Sequence, residues 1–592
     1  MNTRIFFLMA CCILLNMVRA NEPVSIHVNQ MGFNIDQSKM AVIESSGILP
    51  DQPKIFVREV GSETKVFPIT IGTPQRIPEW KQGSVFYNID FTPVKQPGNY
   101  FISLESDGKT YTSAPFTIGE YFLSRTTISS IIRYFRRQRA NTEIEWNADK
   151  SVILFGSQKT ADVRGGWCDA SGDVSKYFSH LAYTNYMMPQ QTPLVTWSLI
   201  HTSESIPSQL ADWKLTDSLQ AEALWGADYL MRSFSAEGYF YMTVFSYFDK
   251  NPNARRIVGL LANSVTTSDY QCAFREGGGM AIAALARISR WKKNGEFSSK
   301  QYLDVAKRAF DHLMVNNKKY TDDGRENIID DYCALMAATE LWFATDNKLY
   351  RDEARKRAAK LRQRLSPEGW FSSNDSDRPF WHAADAGMPV RSLQRYLEKE
   401  RDPTLVKATR NTIERSVNHE LELTYAVENP FSYARQQFRF NGKINSGFFI
   451  PHENESGWWW QGENARLASL ATIVMGEQRY RARNQEHSGE AYVLPAYSSG
   501  QLSWILGCNP YDMCFMYGFG KNNVPYMASS FGHGSGIGGI SNGITGKDGS
   551  ADGSGIEFKE EAGGNEWRWT EQWIPHTAWF LQAMTELTLS GR

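Results

Sequence analysis

The hydrophobic periodicity of this 592-residue chain changes near residue 119. Before that point, apolar and polar residues alternate in short runs, as at Val24, Ile26 and Val28, and Gly- or Pro-containing turn signals separate the runs. Similar runs cover residues 54–60, 85–91, 99–104 and 113–118. Several short strands at this spacing predict a small β-sandwich over residues 21–119. This segment shows no catalytic pattern, so we expect it to serve packing or binding.

From residue 120 onward the apolar residues follow a helical period. Leu219, Ala223, Ala227, Leu230 and Phe234 recur every three or four residues and form one face of a helix. Further helical patterns lie near 277–292, 302–316, 334–342, 354–365, 385–399, 404–420, 462–476, 495–506 and 573–588. Many helices without intervening strands predict an all-α main domain over residues 120–592.

Residues 1–20 have the composition of a signal peptide. Arg4 precedes an apolar run from Ile5 to Leu15, and Val18-Arg19-Ala20 forms a small-x-small cleavage site before Asn21. The run is too short to span a membrane. We therefore expect export to the periplasm or the extracellular space; lipoprotein anchoring at Cys11 is the alternative.

Cysteine number and net charge exclude several function classes. Five cysteines follow residue 20, and they are scattered and odd in number, which argues against a disulfide framework or a tetrahedral metal cluster. The formal charge is −1, or −3 without Arg4 and Arg19. Such a near-neutral balance gives no support for nucleic-acid binding.

A short acidic loop, Gly165 to Asp173, carries the clearest chemical signal. Asp169 and Asp173 lie four residues apart, with Ala, Ser and Gly between them. Small residues allow a close approach of ligand and backbone, and two carboxylates on a tight loop can hold a water for sugar hydrolysis. Two alternatives remain: the acids cap a helix, or they bind calcium, although Val174 stands where a calcium loop has Gly.

Three long connections, residues 366–382, 428–461 and 507–570, are rich in Gly, Asn, aromatic and charged residues. Connections of this length in a compact domain are usually functional. The last one contains Asp548 to Gly553, which resembles a calcium loop but has Lys559 at the twelfth position instead of Glu. We expect a glycine-rich loop without metal and no required cofactor; a structural calcium is the alternative.

Several separated motifs together resemble glycoside hydrolase family 9, the inverting cellulase family, in its form with an N-terminal immunoglobulin-like domain. They are Val28 to Phe33, Ser113 to Phe116, the acidic loop, Trp225 to Leu230, Gly507 to Pro510 and Tyr517 to Gly520. The resemblance covers nearly the whole chain after residue 20. It implies an α/α barrel of six helical hairpins, preceded by an immunoglobulin-like sandwich, with the site in a groove formed by loops.

The resemblance also implies catalytic roles. Asp173 matches the catalytic base, and Asp169 would help to hold the attacking water. The family's acid is a Glu at the head of the final helix, which points to Glu571. Trp569 and Trp573 would surround this carboxyl with apolar surface and favour its protonated form. Glu566 is the rival candidate; for either Glu, a helix-terminal charge is the structural alternative.

The chain departs from the family pattern in two ways. Family cellulases read Asp-Ala-Gly-Asp where this chain inserts Ser171, and their His-His-Arg cluster is replaced by Pro525 to Ala528, with only His533 nearby. With these departures and the segments around 452–466, the chain resembles the branch of the family that contains exo-β-glucosaminidases. An acidic loop such as the one with Glu453 and Glu455 would suit the 2-ammonium group of glucosamine. The predicted substrate contacts are Trp167, Tyr177, Glu453, Glu455, Trp459, Trp460, His533 and Trp573. The alternative is that the tryptophans are core and both Glu are solvated.

We therefore predict an exported inverting glycoside hydrolase that cleaves β-1,4-type bonds in gluco-configured oligo- or polysaccharides. The substrate is either a cellulase-type β-glucan or a glucosamine oligosaccharide. A competing class is a carbohydrate-binding protein with a decayed site, but Asp169, Asp173 and Glu571 are all retained. A polysaccharide lyase, the other competing class, would use a Tyr or His base beside an Arg or a metal.

Overall fold

The structure, a computed structural model, describes most of the chain after residue 23. The described residues are 24–50, 53–62, 66–180, 188–249, 251–261, 264–373, 378–379, 385–454, 457–458, 461–485, 493–528 and 532–591. The proposed signal peptide lies outside this set.

The N-terminal part is a two-sheet sandwich. Its strands are β1 (Val24–Val28), β2 (Gly32–Asn34), β3 (Met40–Ser45), β4 (Lys54–Glu59), β5 (Val66–Ile69), β6 (Val85–Asp90), β7 (Gly98–Ser106), β8 (Lys109–Thr112) and β9 (Phe116–Gly119). One sheet has the order β1-β3-β6, and the other has the order β2-β9-β7-β4-β5, with β8 paired to β7. The alternating apolar residues of both sheets meet in one core, where Phe33 packs edge-on against Phe91 and Phe116.

The rest of the chain is predominantly helical. The helices are α1 (Phe122–Gln138), α2 (Glu143–Ala148), α3 (Thr192–Ser205), α4 (Pro207–Asp212), α5 (Thr216–Arg232), α6 (Gly279–Ile288), α7 (Ser299–Tyr320), α8 (Ile328–Thr345), α9 (Lys348–Gln363), α10 (Met388–Leu397), α11 (Pro403–Tyr425), α12 (Asn464–Arg483), α13 (Val493–Ile505), α14 (Trp567–Thr570) and α15 (Ile574–Ser590). Among these, no helix is both long and apolar enough to cross a membrane.

Six of the helices form a closed inner ring. α3, α6, α8, α10, α12 and α15 each pack against the next, and α15 packs against α3 to close the ring. A second layer of α1, α5, α7, α9, α11 and α13 packs around them. This is the α/α barrel of helical hairpins that the resemblance implied, and the prediction of fold class is confirmed. The inner helices are buried on all sides, as in α6, where every residue is buried.

The expectation of a helical domain without strands was wrong in detail. The loops carry short strands: β10 (Val152–Ile153), β11 (Thr160–Ala161), β12 (Lys176–Tyr177), β13 (Thr243–Phe245), β14 (Arg256–Leu260), β15 (Thr266–Thr267), β16 (Gln436–Phe440), β17 (Lys443–Gly447), β18 (Glu453–Asn454) and β19 (Gly457–Trp458). Strands β12 to β15 pair in sequence order into one antiparallel sheet beside the acidic loop. Seven of these ten strands have only two or three residues, too few for the period-2 pattern to reveal them.

The sandwich and the barrel share an interface. Trp80, on the loop between β5 and β6, packs against Phe448 and Trp504 of the barrel, with ring centroids 4.5 and 5.6 Å away. Gln30 adds polar contacts, because its backbone N–H donates to Leu506 O and its side-chain amide donates to Asp512 O at 2.7 Å. The contact is therefore both apolar and hydrogen-bonded.

Candidate active site

A cleft of about 670 Å³ lies where the acidic loop meets the segment before α15. Loops and the short helix α14 supply its walls. The lining residues are Asp169, Ala170, Ser171, Gly172, Asp173, His180, Phe248, Pro525, Tyr526, Met527, Ala528, Glu560, Gly564, Glu566, Trp567, Thr570, Glu571 and Trp573. The three predicted catalytic carboxyls therefore face one cleft.

Backbone hydrogen bonds join the acidic loop to the Glu571 segment. Ala170 and Trp573 form an antiparallel bridge, in which Ser171 N donates to Gln572 O at 2.8 Å and Ile574 N donates to Asp169 O at 3.0 Å. Ser171 Oγ accepts a further bond from Gln572 N at 2.9 Å. These contacts span about 400 residues of sequence and fix the relative position of the carboxyls on the two segments.

Asp173 is surrounded by hydrogen-bond donors. Its Oδ1 accepts from Ser175 N at 2.9 Å and lies 3.4 Å from Ser246 Oγ, while its Oδ2 lies 3.5 Å from the Tyr177 hydroxyl. Burial and the nearby Asp173 charge raise the pKa of Tyr177 well above its usual value, so this hydroxyl keeps its proton. These contacts hold the half-buried Asp173 carboxyl in one orientation at the wall of the cleft, as the geometry of a general base requires.

Asp169 has the opposite environment. Its side chain is 2% exposed, and Oδ1 has no hydrogen-bond partner among the described residues. Burial, together with the charges of Asp173 and Glu571, raises its pKa well above the usual range. Asp169 therefore keeps its proton to higher pH than an exposed Asp does, and in that form its carboxyl can donate a hydrogen bond into the cleft.

Glu571 lies in the extended link between α14 and α15. Its Oε2 accepts a hydrogen bond from the indole N–H of Trp573, which itself lines the cleft. Its backbone carbonyl accepts from Asn542 N at 2.9 Å, which fixes the link. The indole therefore holds the Glu571 carboxyl through Oε2 at the wall of the cleft.

Glu566 lines the same cleft. Backbone N–H groups of Glu566 and Gly564 lower the pKa of this half-exposed carboxyl, and Gly564 N donates to its Oε2 at 2.8 Å. A carboxyl with these partners gives up its proton readily and is a poor general acid near neutral pH. The surroundings therefore favour Glu571 over its rival.

A buried charged network supports the acidic loop from behind. Arg255 binds Asp149 with two bonds of 2.8 Å and also donates to the carbonyl of Val174. His533 Nε2 lies 2.8 Å from Glu145 Oε1, and the backbone carbonyl of His533 accepts from Gly172 N at 2.8 Å. His533, predicted to contact substrate, is almost completely buried here and positions the loop instead.

Two further predicted substrate contacts lie outside the cleft. Trp167 is fully buried in the barrel core and packs against Phe135 and the backbone of Gly226. Tyr177 is also fully buried, behind Asp173, and its ring stacks on His180 at 4.4 Å. Both side chains have no exposed surface and neither lines the cleft, so they cannot touch a sugar there. Of the predicted aromatic contacts described, Trp573 alone lines it.

The remaining predicted contacts cannot be placed. Glu455, Trp459 and Trp460 lie outside the described residues, and Glu453 is described only as the first residue of β18. The predicted role of this segment in binding stays a prediction.

The candidate calcium loop carries its own cations. Arg568 donates to both carboxylate oxygens of Asp548, at 2.7 and 3.1 Å, and Lys559 donates to the same group at 3.0 Å. Asp552 accepts from Ser550 Oγ and Ser554 N within the loop. Because the Asp548 charge is already balanced, these contacts favour the loop without metal.

Sequence analysis missed several residues of the cleft. His180 lines it between the rings of Tyr177 and Trp573, and burial lowers the pKa of this imidazole to about 3. Phe248, Tyr526 and Glu560 also line it. A local pattern could not reveal them, because each lies on a loop whose orientation is set by tertiary contacts.

Comparison with known proteins gives consistent matches. The family model described as glycosyl hydrolase family 9 matches residues 125–546, and the model described as cellulase N-terminal ig-like domain matches residues 21–109. Endoglucanase 19 of Oryza sativa subsp. japonica is 25% identical over 419 residues, which are 66% of this chain and 72% of that protein. A xyloglucan-specific endo-beta-1,4-glucanase of Bacteroides ovatus is 22% identical over 379 residues, covering 58% of this chain and 61% of that protein.

The solved structures support the fold. A metagenome-derived glycoside hydrolase family 9 endoglucanase superposes with a TM-score of 0.67 at 16% sequence identity. The match covers 95% of this chain and 99% of that one, so it includes both the sandwich and the barrel.

Proposed function

The chain belongs to glycosyl hydrolase family 9 and is a cellulase-like glycoside hydrolase, and from this premise we propose that it works by inversion, with Asp173 as base and Glu571 as acid. The observation that carries the proposal is the convergence of Asp169, Asp173 and Glu571 on one cleft. The two segments that hold them are joined by the bridge between Ala170 and Trp573.

The environments of the three carboxyls suit a single displacement. A water held between protonated Asp169 and Asp173 attacks the anomeric carbon and gives its proton to Asp173. The glycosidic C–O bond breaks, its electron pair moves to the leaving oxygen, and that oxygen takes the proton of Glu571. The indole of Trp573 holds Glu571 in place through Oε2. The product is inverted at the anomeric carbon.

The stereochemical course tests the mechanism. With a β-linked oligosaccharide as substrate, NMR of the first product should show the α-anomer. A β-anomer formed first would mean a retaining mechanism and remove Asp173 from the role of base. An absence of hydrolysis on every β-linked oligosaccharide, with binding retained, would instead indicate a carbohydrate-binding protein with a decayed site.

The charge of the cleft favours a glucosamine oligosaccharide as a second candidate substrate. Among the described lining residues, the acidic side chains are Asp169, Asp173, Glu560, Glu566 and Glu571, and no Lys or Arg is present. A carboxylate can complement the 2-ammonium group of glucosamine, and a charge-assisted bond of this kind is worth about 1.5–3 kcal/mol. That energy corresponds to a preference of roughly 10- to 150-fold.

A substrate panel separates the two candidates and also decides between endo and exo action. Cello-, xyloglucan, mixed-linkage and chitosan oligosaccharides of equal length are offered, and the products are separated by size. Release of single glucosamine units faster than any neutral sugar supports the second candidate, and Glu560→Gln with Glu566→Gln should reduce that difference. Rapid internal cleavage of a neutral β-glucan without glucosamine release would reject it.

We further propose that the enzyme is exported and acts in the periplasm or outside the cell. The support is the charged, apolar and small-x-small order of residues 1–20. N-terminal sequencing of the protein from cell fractions tests this. A mature chain that begins at Asn21 supports export of the free enzyme. A mature chain that begins at a lipidated Cys11 would show that the enzyme is anchored to a membrane. An uncleaved chain in the cytoplasm would refute export.

A further inference from the structure

A turn at the edge of the cleft has an unusual sequence for its conformation. Tyr247 and Phe248 follow β13, and both have positive φ angles, 59° and 58°. Asp249 N donates to Ser246 O at 3.1 Å, so these four residues form a type I′ turn. The central positions of this turn normally carry Asn-Gly, because residues with larger side chains are strained there. Here both positions are aromatic.

Burial does not compensate for this strain. Tyr247 is 40% exposed and Phe248 is 53% exposed, so both rings keep much of their surface in water. Strained backbone that is not stabilised by its own packing is found at functional sites. The turn therefore presents two aromatic rings at a cost in stability.

The rings are nevertheless held in position. Phe245, which is 1% exposed, packs against the ring of Tyr247 and against that of Phe248, with centroids 5.0 Å apart in both pairs. Phe245 belongs to a small core that also contains Tyr177, the residue behind Asp173. An exposed ring on a rigid base loses little conformational entropy when a ligand covers it.

The turn is adjacent to the reacting groups. Its first residue, Ser246, has its hydroxyl 3.4 Å from Asp173 Oδ1. Phe248, two residues further on, lines the same cleft as Asp173, and Tyr526, 55% exposed, lines it as well. An exposed aromatic ring thus stands close to the proposed base.

We propose that Phe248 is a stacking platform for a pyranose ring of the substrate, beside the ring whose bond is cleaved. This inference rests on the proposed function. In a β-1,4-linked gluco-configured chain the hydroxyl groups are equatorial, so each ring presents C–H groups on both faces, and these pack against aromatic faces. The platform contributes to substrate affinity and to the choice of a β-linked gluco-type chain.

Binding to a variant that does not turn over substrate tests the platform directly. In the Glu571→Gln background, the Kd for cello- and chitosan oligosaccharides is measured by calorimetry. Fully covering an exposed Phe side chain corresponds to a factor of roughly 10 to 100 in Kd, and Phe248 has only about half of its surface left to cover, so the expected factor is roughly 3 to 10. Phe248→Ala should weaken binding by that factor, and Phe248→Trp should retain it. Tyr425→Ala, which removes a ring that is 40% exposed outside the cleft, should change nothing.

A second variant keeps the proposal testable if Phe248→Ala folds poorly. Tyr247→Asn combined with Phe248→Gly places the preferred residues in the turn, so it should raise the melting temperature while it weakens binding. Lys214→Gly relieves a similar positive φ, 58°, at an exposed site and should raise the melting temperature without an effect on Kd.

Two results overturn the platform. One is an unchanged oligosaccharide affinity both in Phe248→Ala and in the double variant with Phe248→Gly. The other is a loss of affinity that Tyr425→Ala reproduces. The parent chain is assayed for hydrolysis separately. If it hydrolyses no β-linked oligosaccharide while Phe248→Ala still weakens binding, the proposed function fails and the platform stands.

Discussion

At the level of single residues, the cleft separates carboxyl groups that look alike in the sequence. Asp169 and Asp173 belong to one loop, yet one is buried with an unpartnered oxygen and the other accepts hydrogen bonds. Glu566 and Glu571 are equally close in sequence, but Trp573 contacts the second and backbone N–H groups contact the first. Distinct environments give neighbouring acids distinct tasks.

We expect Glu571→Gln to reduce turnover of a natural oligosaccharide at least ~10²-fold, because the amide cannot protonate the leaving oxygen. Binding should persist, since Gln keeps the shape and the bond from Trp573. An aryl glycoside with an excellent leaving group needs little protonation and should lose much less activity. Steady-state kinetics on both substrates measures this.

Glu566→Gln is the matched control for this change, because it removes the other Glu of the cleft. It should keep most of the activity on a neutral oligosaccharide. If Glu566→Gln were inactive and Glu571→Gln normal, the role of acid would pass to Glu566.

Asp169→Asn should stabilise the protein near neutral pH. The pKa of Asp169 is raised in the folded state, so above about pH 4 the unfolded chain ionises this group while the folded chain keeps it protonated. Stability is therefore lost as pH rises between the two pKa values, by about 1.4 kcal/mol for each pH unit. Melting temperatures of variant and parent should coincide below pH 4 and diverge toward pH 7. Parallel curves over that range would show that Asp169 takes up no extra proton on folding.

At the level of elements, the pairing of the acidic loop with the Glu571 segment positions the carboxyl groups of the site. The residues from Asp169 to Ser171 pair with those from Gln572 to Ile574, and Ser171, the residue inserted relative to the family pattern, supplies an additional side-chain acceptor. The insertion is therefore part of the connection between Asp173, the proposed base, and Glu571, the proposed acid. Loss of this contact should affect their relative position more than the binding of sugar.

Ser171→Ala tests that role. It leaves Gln572 N without this acceptor in a fully buried place, which costs about 1–3 kcal/mol. We expect kcat to fall with little change in KM, and the free energy of unfolding to fall by that amount. Ser503→Ala is the control, because Ser503 is equally buried on α13 and its hydroxyl has no partner in the described part of the chain. Equal effects in both variants would assign Ser171 to general packing.

Helices could be predicted from the sequence where they have two different faces. α5, α7, α9 and α11 pack one side inward and leave the other in water, so the 3.6-residue period was visible. α3 was missed, and twelve of its fourteen residues are buried, which weakens the period. The other five helices of the inner ring were predicted, by the patterns near 277–292, 334–342, 385–399, 462–476 and 573–588.

At the level of the whole molecule, the carboxyl groups of the candidate site could be predicted from the sequence, whereas the aromatic residues that line the cleft could not. Asp169, Asp173 and Glu571 have residue types and neighbours that indicate a role. Whether an aromatic residue faces solvent or core depends on how distant loops pack, so Trp167 was misplaced and Phe248 was missed. Local sequence contains no information on that orientation.

The sandwich should unfold together with the barrel, because Trp80 inserts between barrel aromatics. Trp80→Ala leaves a cavity in this interface, and such truncations cost about 3–5 kcal/mol. Calorimetry of the parent should show one transition, and the variant should melt lower or show a separate transition for the sandwich. Its kcat should stay normal, since Trp80 does not line the cleft.

Ile48→Ala, at a site on the sandwich that is 72% exposed, is the control, and its free energy of unfolding should stay within about 0.5 kcal/mol of the parent's. If Trp80→Ala cost no more than Ile48→Ala, the two parts would be independent, and the interface would contribute nothing to the stability of the barrel.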